Sequence, residues 1–417
     1  MSVYNIGELI FLFVVLLSSF FWLFMYLYVG EEKIETRKIS RYHSVAVLIP
    51  TINEGKFIKK TVMSALALDY PRSRYTIYIA LNKSSTKDTV DTAHSLKSSR
   101  VKVIDCPVNG KSKVMNYVLK KFIKERVLLV LDADTLVDRR LLLRTVPFFD
   151  DDMVGAVVSS VKVLKPKTLA ERLQHYEYLL SIISRKVLSS MAGLIVAHGA
   201  GSTFRVSIIK KLGYFDDSGN PTEDLEIGLR ILSNGYRVET DPRAISYTVV
   251  PKSFGALFEQ RKRWFSGFFV NMIKYRKSLF SKENARLGFF ILPLVILSTV
   301  LGIVAMVAIG VPLYDFLSGE LNLILNTSLS FAVSAQVGAL PFYINPIFML
   351  AVATSLLGII AIYYALNYSG IRLNKYKDTV GVIGYIFFYS FFLSFVWLYT
   401  AISMAITRRG YVWKIAT

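Results

Sequence analysis

The strongest fold signal in the chain is the stretch Val127-Leu128-Leu129-Val130-Leu131-Asp132-Ala133-Asp134. Five consecutive apolar residues that end on carboxylates are typical of a fully buried strand in a parallel sheet. Three similar runs precede it, at residues 45–49, 76–81 and 101–105, and helical patterns at 56–68, 84–97 and 113–123 separate the runs. This alternation predicts an α/β domain with a Rossmann-type, mostly parallel sheet and helices on both faces.

Polar residues follow the predicted strands, at the sheet edge where ligands of such folds bind. Asp132 and Asp134 follow the fourth strand. Because alternate strand residues point the same way, their carboxylates can converge on one point. Hard oxygen ligands of this kind suit Mg²⁺ or Mn²⁺ bridging a diphosphate. The alternative is a polar strand end, with Asp134 or Thr135 capping a helix near Val137.

The stretch Thr222-Glu223-Asp224 precedes an apolar-periodic helix predicted at residues 225–233. Asp224 has two interpretations. It can be a first-turn carboxylate that the helix dipole favours. It can also be a general base that takes the proton of an acceptor hydroxyl as a new bond forms.

The densest unusual cluster is Gln260-Arg261-Lys262-Arg263-Trp264, inside a helical pattern over residues 254–275 that mixes aromatic and basic residues. Such a helix lies on anionic headgroups, and we expect this one to do so. That role does not explain why Gln, Arg and Trp occur together. Arginines can neutralise a leaving diphosphate, and an indole can stack on a sugar ring.

The glycine-rich stretch His198-Gly199-Ala200-Gly201 follows a short apolar strand predicted at residues 194–197, and it indicates close backbone approach to a ligand. Gly110-Lys111 resembles the end of a phosphate loop, but position 105 is Asp where that loop has Gly, which argues against P-loop chemistry. The four histidines lack metal-ligand spacing and Cys106 is the single cysteine, which argues against zinc and excludes an intrachain disulfide.

Charge is segregated along the 417 residues. Hydrophobic residues make up 53% and charged residues 19%, and mean hydropathy is +0.43. Lys+Arg number 50 against Asp+Glu 30, a net charge of +20, and nearly all of that excess lies within residues 31–286. This pattern excludes a simple soluble enzyme, a disordered protein and a disulfide scaffold. It predicts a basic domain held between hydrophobic segments.

Residues 9–29 are uncharged and long enough to span a bilayer. They lack a basic n-region and a cleavage site, so we expect a retained anchor. Basic residues follow this segment and none precedes it, which predicts an outside N-terminus and a cytoplasmic domain. Residues 287–313, 345–366 and 380–406 can each span, and 321–340 is ambiguous. The sequence leaves open whether the chain has four or five spans, and therefore on which side of the membrane the C-terminus lies.

Together these motifs resemble membrane-embedded family 2 glycosyltransferases, a group that includes cellulose, chitin, hyaluronan and poly-N-acetylglucosamine synthases. The resemblance covers about residues 45–277 and the flanking apolar segments. The motifs that carry it are Ile49–Glu54, Gly110-Lys111 with Asn116, the D-x-D of Asp132 and Asp134, residues 198–205, the T-E-D of 222–224 and the Q-x-x-R-W of 260–264. It implies an anchor at 1–30, a GT-A domain at 31–250, interface helices at 251–286 and a membrane region at 287–417 with three spans, or four.

The resemblance also implies roles for single residues. Asp224, beside Glu223, would be the catalytic base, and Asp134, supported by Asp132, would hold Mg²⁺ or Mn²⁺. The residues implied for donor binding are Pro50, Thr51, Asn53, Glu54, Asn82, Lys111, Asp132, Gln260 and Arg263. The residues implied for acceptor binding are Trp264, His198, Gly199 and Gly201.

One position departs from the family. An Asp pair or Asp-Asn usually follows the second strand and contacts uridine, whereas this chain has Ala80-Leu81-Asn82-Lys83 there. Either Asn82 substitutes or base recognition is altered.

The implied reaction is inverting, metal-dependent transfer from a nucleotide sugar, a UDP-sugar first of all, to a growing β-linked polysaccharide at the cytoplasmic face of the cell membrane. Coupled export, with or without a partner, is open. The nearest alternative is single-sugar transfer to a membrane lipid, as in ceramide-glucosyltransferase-like proteins, which share the motifs. The tyrosines and tryptophans of the last apolar segments can line a polymer path or anchor the interface.

A remote alternative is a non-catalytic membrane protein whose basic domain binds nucleic acid. The charge allows it. However, the domain lacks an evident reading helix, and Asp132, Asp134 and Asp224 would repel phosphates without a metal. We therefore expect a nucleotide sugar, a glycan or lipid acceptor and the bilayer as partners, and no nucleic acid.

Overall fold

The computed structural model describes residues 3–31, 37–326, 346–369 and 377–407. Its centre is an eight-stranded sheet with the order β3-β2-β1-β4-β7-β6-β8-β5. The strands are β1 Val45–Thr51, β2 Tyr75–Leu81, β3 Val101–Asp105, β4 Val127–Leu131, β5 Leu136–Val137, β6 Val154–Val163, β7 Ala200–Arg205 and β8 Arg237–Thr248.

The sheet is parallel in its N-terminal half, as the alternating pattern predicts. β1 pairs in parallel with β2 and β4, and β2 pairs in parallel with β3. The other half is mixed: β7 is antiparallel to β4 and β6, β5 is antiparallel to β8, and β6 and β8 are parallel. Four of the seven pairings are therefore parallel, and the carboxyl ends of β1, β2 and β4 meet at one edge.

Helices cover both faces of the sheet. They are α2 Gly55–Leu66, α3 Lys87–Ser95, α4 Lys111–Lys121, α5 Leu141–Thr145, α6 Leu169–Ser190, α7 Val206–Lys211, α8 Glu223–Ser233 and α9 Phe254–Lys274. Short 3₁₀ turns occupy Arg72–Arg74, Val146–Asp150 and Arg276–Ser278. On β4, Leu128 and Val130 pack into one core with α4 and α8, whereas Val127, Leu129 and Leu131 pack into the other with α2. Burial on both faces explains why this strand is continuously apolar.

Long apolar helices flank this unit. They are α1 Val3–Glu31, α10 Leu292–Asn326 behind a π-helical turn at Arg286–Ile291, α11 Pro346–Tyr368, α12 Lys377–Gly384, and α13 Ser390–Thr407 behind a π-helical turn at Tyr385–Tyr389. Among the described residues, two segments, Leu12–Gly30 and Arg286–Val304, are long and apolar enough to cross a membrane, and Leu356–Tyr368 and Ser390–Ile406 are shorter apolar helices. The ambiguous segment 321–340 lies mostly outside the described residues, as do the basic residues that follow 407.

Two sequence predictions of local structure are wrong, and the structure also excludes one alternative. Residues 194–197 form no strand, because β7 begins only at Ala200. No helix starts near Val137 either, since Leu136 and Val137 pair with β8 as a short strand. Asp132-Ala133-Asp134 lie in the turn after β4 and not on the strand, so their placement follows from the turn and not from strand alternation.

Candidate active site

Lys111 joins two acidic segments at the carboxyl edge of the sheet. It is the first residue of α4, and its Nζ lies 2.7 Å from Oδ1 of Asp132 and 2.9 Å from Oε1 of Glu223. Burial alone would lower the pKa of Lys111, but Asp132 and Glu223 outweigh it and raise that pKa. The ammonium therefore holds the ends of β4 and α8 together through two charge-assisted contacts.

Gly199 allows the side chains of Asp132 and Lys111 to lie close to the backbone at position 199. The backbone N–H of Asp132 donates to the carbonyl oxygen of Gly199 at 3.0 Å. A Cβ at Gly199 would lie 2.6 Å from Oδ1 of Asp132 and 2.7 Å from Nζ of Lys111. The close backbone approach predicted for this stretch is thus an approach to Asp132 and Lys111.

Asp224 occupies the first turn of α8 beside this cluster. Its Oδ1 accepts from the backbone N–H of Leu225 at 2.8 Å, and its carbonyl oxygen accepts from Ala197. Burial, and after it the charge of Glu223, raise the pKa of Asp224 to about 6 against the opposing effect of Lys111. A small cavity of about 10 Å³ borders Asp224 and Glu223. A carboxylate whose pKa lies near neutrality is suited to general base catalysis.

Asp134 lies in a second acidic group at the same edge. Burial, and after it the charges of Asp132 and Glu54, raise its pKa to about 6. Its Oδ1 lies 3.5 Å from the hydroxyl of Thr248 at the end of β8. Among the described residues, no cluster of three His, Cys, Asp or Glu side chains is arranged to hold a metal. A cation at Asp134 would therefore need further oxygen ligands from a substrate or from water.

The residues predicted at the first two strand ends divide into buried and accessible groups. Pro50 pairs with Ala80 within the sheet, and the buried hydroxyl of Thr51 donates to the carbonyl oxygen of Ile49. These two residues shape the strand end. Glu54 accepts from the backbone N–H groups of Ile52 and Asn53.

The exposed Asn53 and the buried Asn82 lie on neighbouring strand ends, since the N–H of Asn82 donates to the carbonyl oxygen of Thr51. Asn82 therefore stands beside the β1 end, where the resemblance implies nucleotide binding.

The helix α9 packs directly against the turn that carries Asp224. A Cβ at Gly267 would lie 2.2 Å from Oγ1 of Thr222, and Nδ2 of Asn271 donates to the same oxygen at 3.0 Å. Nη1 of Arg263 donates to the carbonyl oxygen of Pro221 at 3.1 Å. The predicted Q-x-x-R-W and T-E-D motifs are therefore in contact.

Arg261 is the buried member of the Gln260–Trp264 cluster. Its side chain is 1% exposed, and Nη2 lies 2.5 Å from Oε2 of Glu177 on α6. Oη of Tyr389 lies 2.6 Å from the same carboxylate oxygen. The guanidinium also stacks 4.1 Å from the Trp264 ring, and its Nη1 donates to Oε1 of Gln260 at 3.3 Å. Trp264 and Gln260 are thus oriented by their neighbour.

The sequence analysis missed Arg185 on α6. Its Nη1 is buried and has no hydrogen-bond partner within the described part of the chain. Burial lowers its pKa, while Tyr178, Asp224 and Glu177 act in the opposite direction. A buried guanidinium nitrogen without a hydrogen-bond partner is costly, so Arg185 is a candidate for binding a ligand near Asp224. Local sequence spacing gives no signal for it, because it approaches Asp224 only through the fold.

His198 is neutral in this environment. Burial and then Arg185 lower its pKa well below the usual value. Its Nε2 lies 2.9 Å from the carbonyl oxygen of Ser159, so this nitrogen carries the proton and donates. Gly201 follows with φ +106°, and a Cβ there would lie 2.8 Å from Oγ of Ser159. His198 and Gly201 therefore pack against Ser159 on β6.

Comparisons with known proteins identify the family and the fold. The family model described as glycosyltransferase like family 2 matches residues 43–267, more than half of the chain. A poly-β-1,6-N-acetyl-D-glucosamine synthase of Staphylococcus epidermidis is 28% identical over 273 residues, which cover 61% of this chain and 64% of that protein. The synthase of the same name from Staphylococcus aureus strain COL is 27% identical over 233 residues, 55% of each chain.

The matched region spans less than two thirds of the length of these relatives. Among solved structures, a mannosyltransferase from Pyrobaculum calidifontis, in complex with GDP-mannose and Mn²⁺, has a TM-score of 0.54 and 20% identity. The match covers 87% of this chain and 99% of that one. That likeness establishes a shared GT-A fold. With the fold, the acidic cluster and the family match in agreement, the chain belongs to glycosyltransferase family 2.

Proposed function

We propose that the protein catalyses inverting transfer of a sugar from a nucleotide sugar to an acceptor hydroxyl, with Asp224 as the general base. The observation that carries this proposal is the partly buried Asp224, whose pKa is raised to about 6, beside a cavity bordered by Lys111 and Glu223. Glu223 is held by Lys111 and contributes to that raised pKa. Its role is therefore to tune Asp224.

In the proposed step, the acceptor oxygen forms a bond to C1 of the donor sugar while the bond from C1 to the diphosphate oxygen breaks. The hydroxyl proton passes to Asp224, and the electron pair of the broken bond leaves with the nucleoside diphosphate. Attack from the opposite face inverts the anomeric centre. Arg263 and Arg185, placed around the Asp224 turn, supply cations for the charge that develops on the diphosphate.

Asp134 and Asp132 fit a divalent cation, since their oxygens are hard ligands and the mutual repulsion that raises the pKa of Asp134 would be relieved by a positive charge. When bound, Mg²⁺ or Mn²⁺ would neutralise the diphosphate of the donor. Lys111 would keep Asp132 in place, and Asn53, Glu54 and Asn82 would line the nucleotide side. The solved mannosyltransferase contains Mn²⁺, which supports a divalent cation in this fold.

We propose UDP-N-acetylglucosamine as the first donor to test and a β-linked polysaccharide as the product, because two relatives are named poly-β-1,6-N-acetyl-D-glucosamine synthases. Trp264, which stacks on Arg261, would hold the terminal acceptor sugar. The two long apolar segments, Leu12–Gly30 and Arg286–Val304, support a multi-pass protein of the cell membrane, and the basic residues after α1 support a cytoplasmic catalytic domain.

The test uses membranes that contain the full chain, Mg²⁺ or Mn²⁺, and a panel of radiolabelled UDP- and GDP-sugars. Products are sized on a gel and partitioned into organic solvent. We expect high-molecular-weight, water-soluble material from one UDP-sugar, and none from the Asp224→Asn variant. A small solvent-extractable product would establish glycolipid synthesis instead, and undiminished transfer by Asp224→Asn would refute the assignment of the base.

A further inference from the structure

A second cavity is lined by residues outside the acidic cluster. Its volume is about 270 Å³, close to the lower end of the ~300–1,000 Å³ typical of small-molecule sites. It opens where β6, β8, α5 and α6 meet the end of α11, and none of the residues that line it belongs to the proposed active site.

Lys162 is the cavity residue that indicates an anionic ligand. Burial lowers the pKa of its ammonium, and its Nζ donates to the carbonyl oxygen of Ser369 at 3.3 Å. Within the described residues no carboxylate pairs with it. An ammonium has three donors, so donors remain for a ligand after the contact with Ser369.

The rest of the cavity combines cations with apolar surface. Arg144 lies 3.7 Å from Asp138, and Arg243 is paired with Asp241 at 2.7 Å. Among the described residues, these pairs and Lys162 give three cations and two carboxylates around the opening. Apolar surface comes from Ile182, Ile245 and Tyr368. A small inorganic anion would gain nothing from this apolar surface, whereas a phosphate attached to hydrocarbon would contact both kinds of lining.

The cavity also lies at the depth where lipid headgroups are expected. The end of α1 contacts α11 one turn before Tyr368, since a Cβ at Gly30 would overlap the hydroxyl of Tyr364. Both apolar helices therefore end in the same layer, and the basic residues Arg37 and Lys38 follow α1. Basic pockets at the cytoplasmic ends of membrane helices bind anionic headgroups. This step rests on the proposed membrane location.

We propose that this cavity binds the phosphate headgroup of an anionic phospholipid, with Lys162 as the principal cation and Arg144 and Arg243 at the rim. The glycerol portion and the first acyl carbons lie against Ile182, Ile245 and Tyr368. Because β6 and β8 form both the cavity wall and the strand end next to Asp134, a bound lipid would hold the catalytic domain at a fixed height on the membrane.

The test measures lipid retained by the full chain, purified in a neutral detergent, by native mass spectrometry with added phosphatidylglycerol or phosphatidylcholine. We expect preferential retention of phosphatidylglycerol. Lys162→Met should weaken that retention roughly tenfold, the usual scale for one charge-assisted hydrogen bond, and Lys162→Arg should keep it. Lys97→Met is the matched control, because it removes an exposed lysine next to β3, at the opposite edge of the sheet.

Equal retention by Lys162→Met and the unmodified protein would overturn the proposal. So would binding of inorganic phosphate that depends on Lys162 and that phosphatidylglycerol does not displace, since the site would then be for a soluble anion. If Lys162→Met does not fold, Arg144→Gln takes its place, with weaker retention expected. Alkaline carbonate extraction tests the membrane location separately, and the transfer assay tests the enzyme activity separately. Failure of lipid binding, of the membrane location or of the proposed function can therefore be told apart.

Discussion

At the residue scale, the environment of Asp224 sets the pH at which the base can act. Burial and Glu223 raise its pKa to about 6, so the carboxylate is protonated and inactive at lower pH. We expect kcat/KM for the donor sugar to fall tenfold per pH unit below about pH 6. Glu223→Gln should move this acid limb to lower pH, because it removes a charge that raises the pKa. An acid limb that stays in place in Glu223→Gln would contradict the proposed coupling.

The same raised pKa predicts a stability effect. The unfolded-state pKa of an aspartate is 3.8 and the folded-state value is about 6, so the charged form costs stability, and the cost is complete above pH 6. Asp224→Asn keeps the acceptor oxygen for Leu225 without that cost. We expect this inactive variant to be more stable at pH 8 by at most about 3 kcal/mol. Thermal unfolding at pH 8 and pH 4 checks this, since the gain must disappear at pH 4.

Arg185 makes a separate prediction at this scale. Its Nη1 is buried and unpartnered in the described structure, and its charge interacts with that of Asp224. If it binds the charged donor, Arg185→Met should lower kcat/KM by roughly 10–100-fold, the scale of a hydrogen bond to a charged group. Arg185→Lys should recover part of the loss, and the unfolding temperature should not fall in either variant. A loss of folding with normal kcat/KM in the remaining protein would point to a structural role instead.

At the element scale, α8 and α9 must meet closely for the two motifs to act together. The contact has no room for a side chain at Gly267, because a Cβ would lie 2.2 Å from Thr222 Oγ1. We expect Gly267→Ala to displace Thr222 and the following Asp224, at a cost of about 1–3 kcal/mol of stability and with reduced kcat. Gly255→Ala in the same helix is the control, since nothing lies within 4 Å of a Cβ there. Equal stability and equal kcat of the two variants would show that the close contact at Gly267 is not required.

The elements differ in how far sequence patterns predict them. The four parallel strands and their helices follow from apolar runs and periodicity, and the predicted strand at 127–131 matches β4. Residues 194–197 look like a strand by composition, but they adopt an irregular path. The carbonyl of Ile195 packs so closely on Gly228 of α8 that a Cβ at position 228 would overlap it. Such a tertiary contact has no local sequence signature.

The candidate site shows the same division between local and tertiary information. Asp132, Asp134 and Asp224 follow from motifs, and the fold brings Asp132 to Glu223 through Lys111. The contact of Arg261 with Glu177 joins positions 84 residues apart. Neither this pair nor Arg185 has a spacing that a sequence pattern can detect, because their partners are set by how α6, α8 and α9 pack.

At the scale of the whole molecule, α6 connects the flanking apolar helices to the active site. Hydroxyls of Tyr26 on α1 and Ser184 on α6 lie 2.7 Å apart, and Ser369 donates to the carbonyl oxygen of Leu179. The next residue after Ser184 is Arg185, which acts on Asp224. The apolar helices therefore help to position the side chains of the site through α6, in addition to their proposed role as a membrane anchor.

This arrangement predicts the behaviour of the catalytic unit alone. A fragment of residues 37–283 keeps the whole sheet but loses α1 and all the helices from α10 to α13. Tyr176 and Leu179 on α6 would lose the cover of Leu366, and Leu257 on α9 would lose that of Tyr389. Exposed apolar patches of this kind drive association, and Arg261 and Glu177 would lose the hydroxyl of Tyr389.

We expect this fragment to aggregate without detergent and, when solubilised, to show transfer at least tenfold below that of the full chain, because Arg261 and Trp264 lose their fixed positions. Size-exclusion chromatography and the radiolabelled donor assay measure the two effects. Tyr389→Phe in the full chain is the matched variant, since it removes one hydroxyl and keeps the apolar cover. It should stay soluble and lose activity in part. A soluble, monomeric fragment with full transfer would mean that the sheet and its own helices suffice for catalysis.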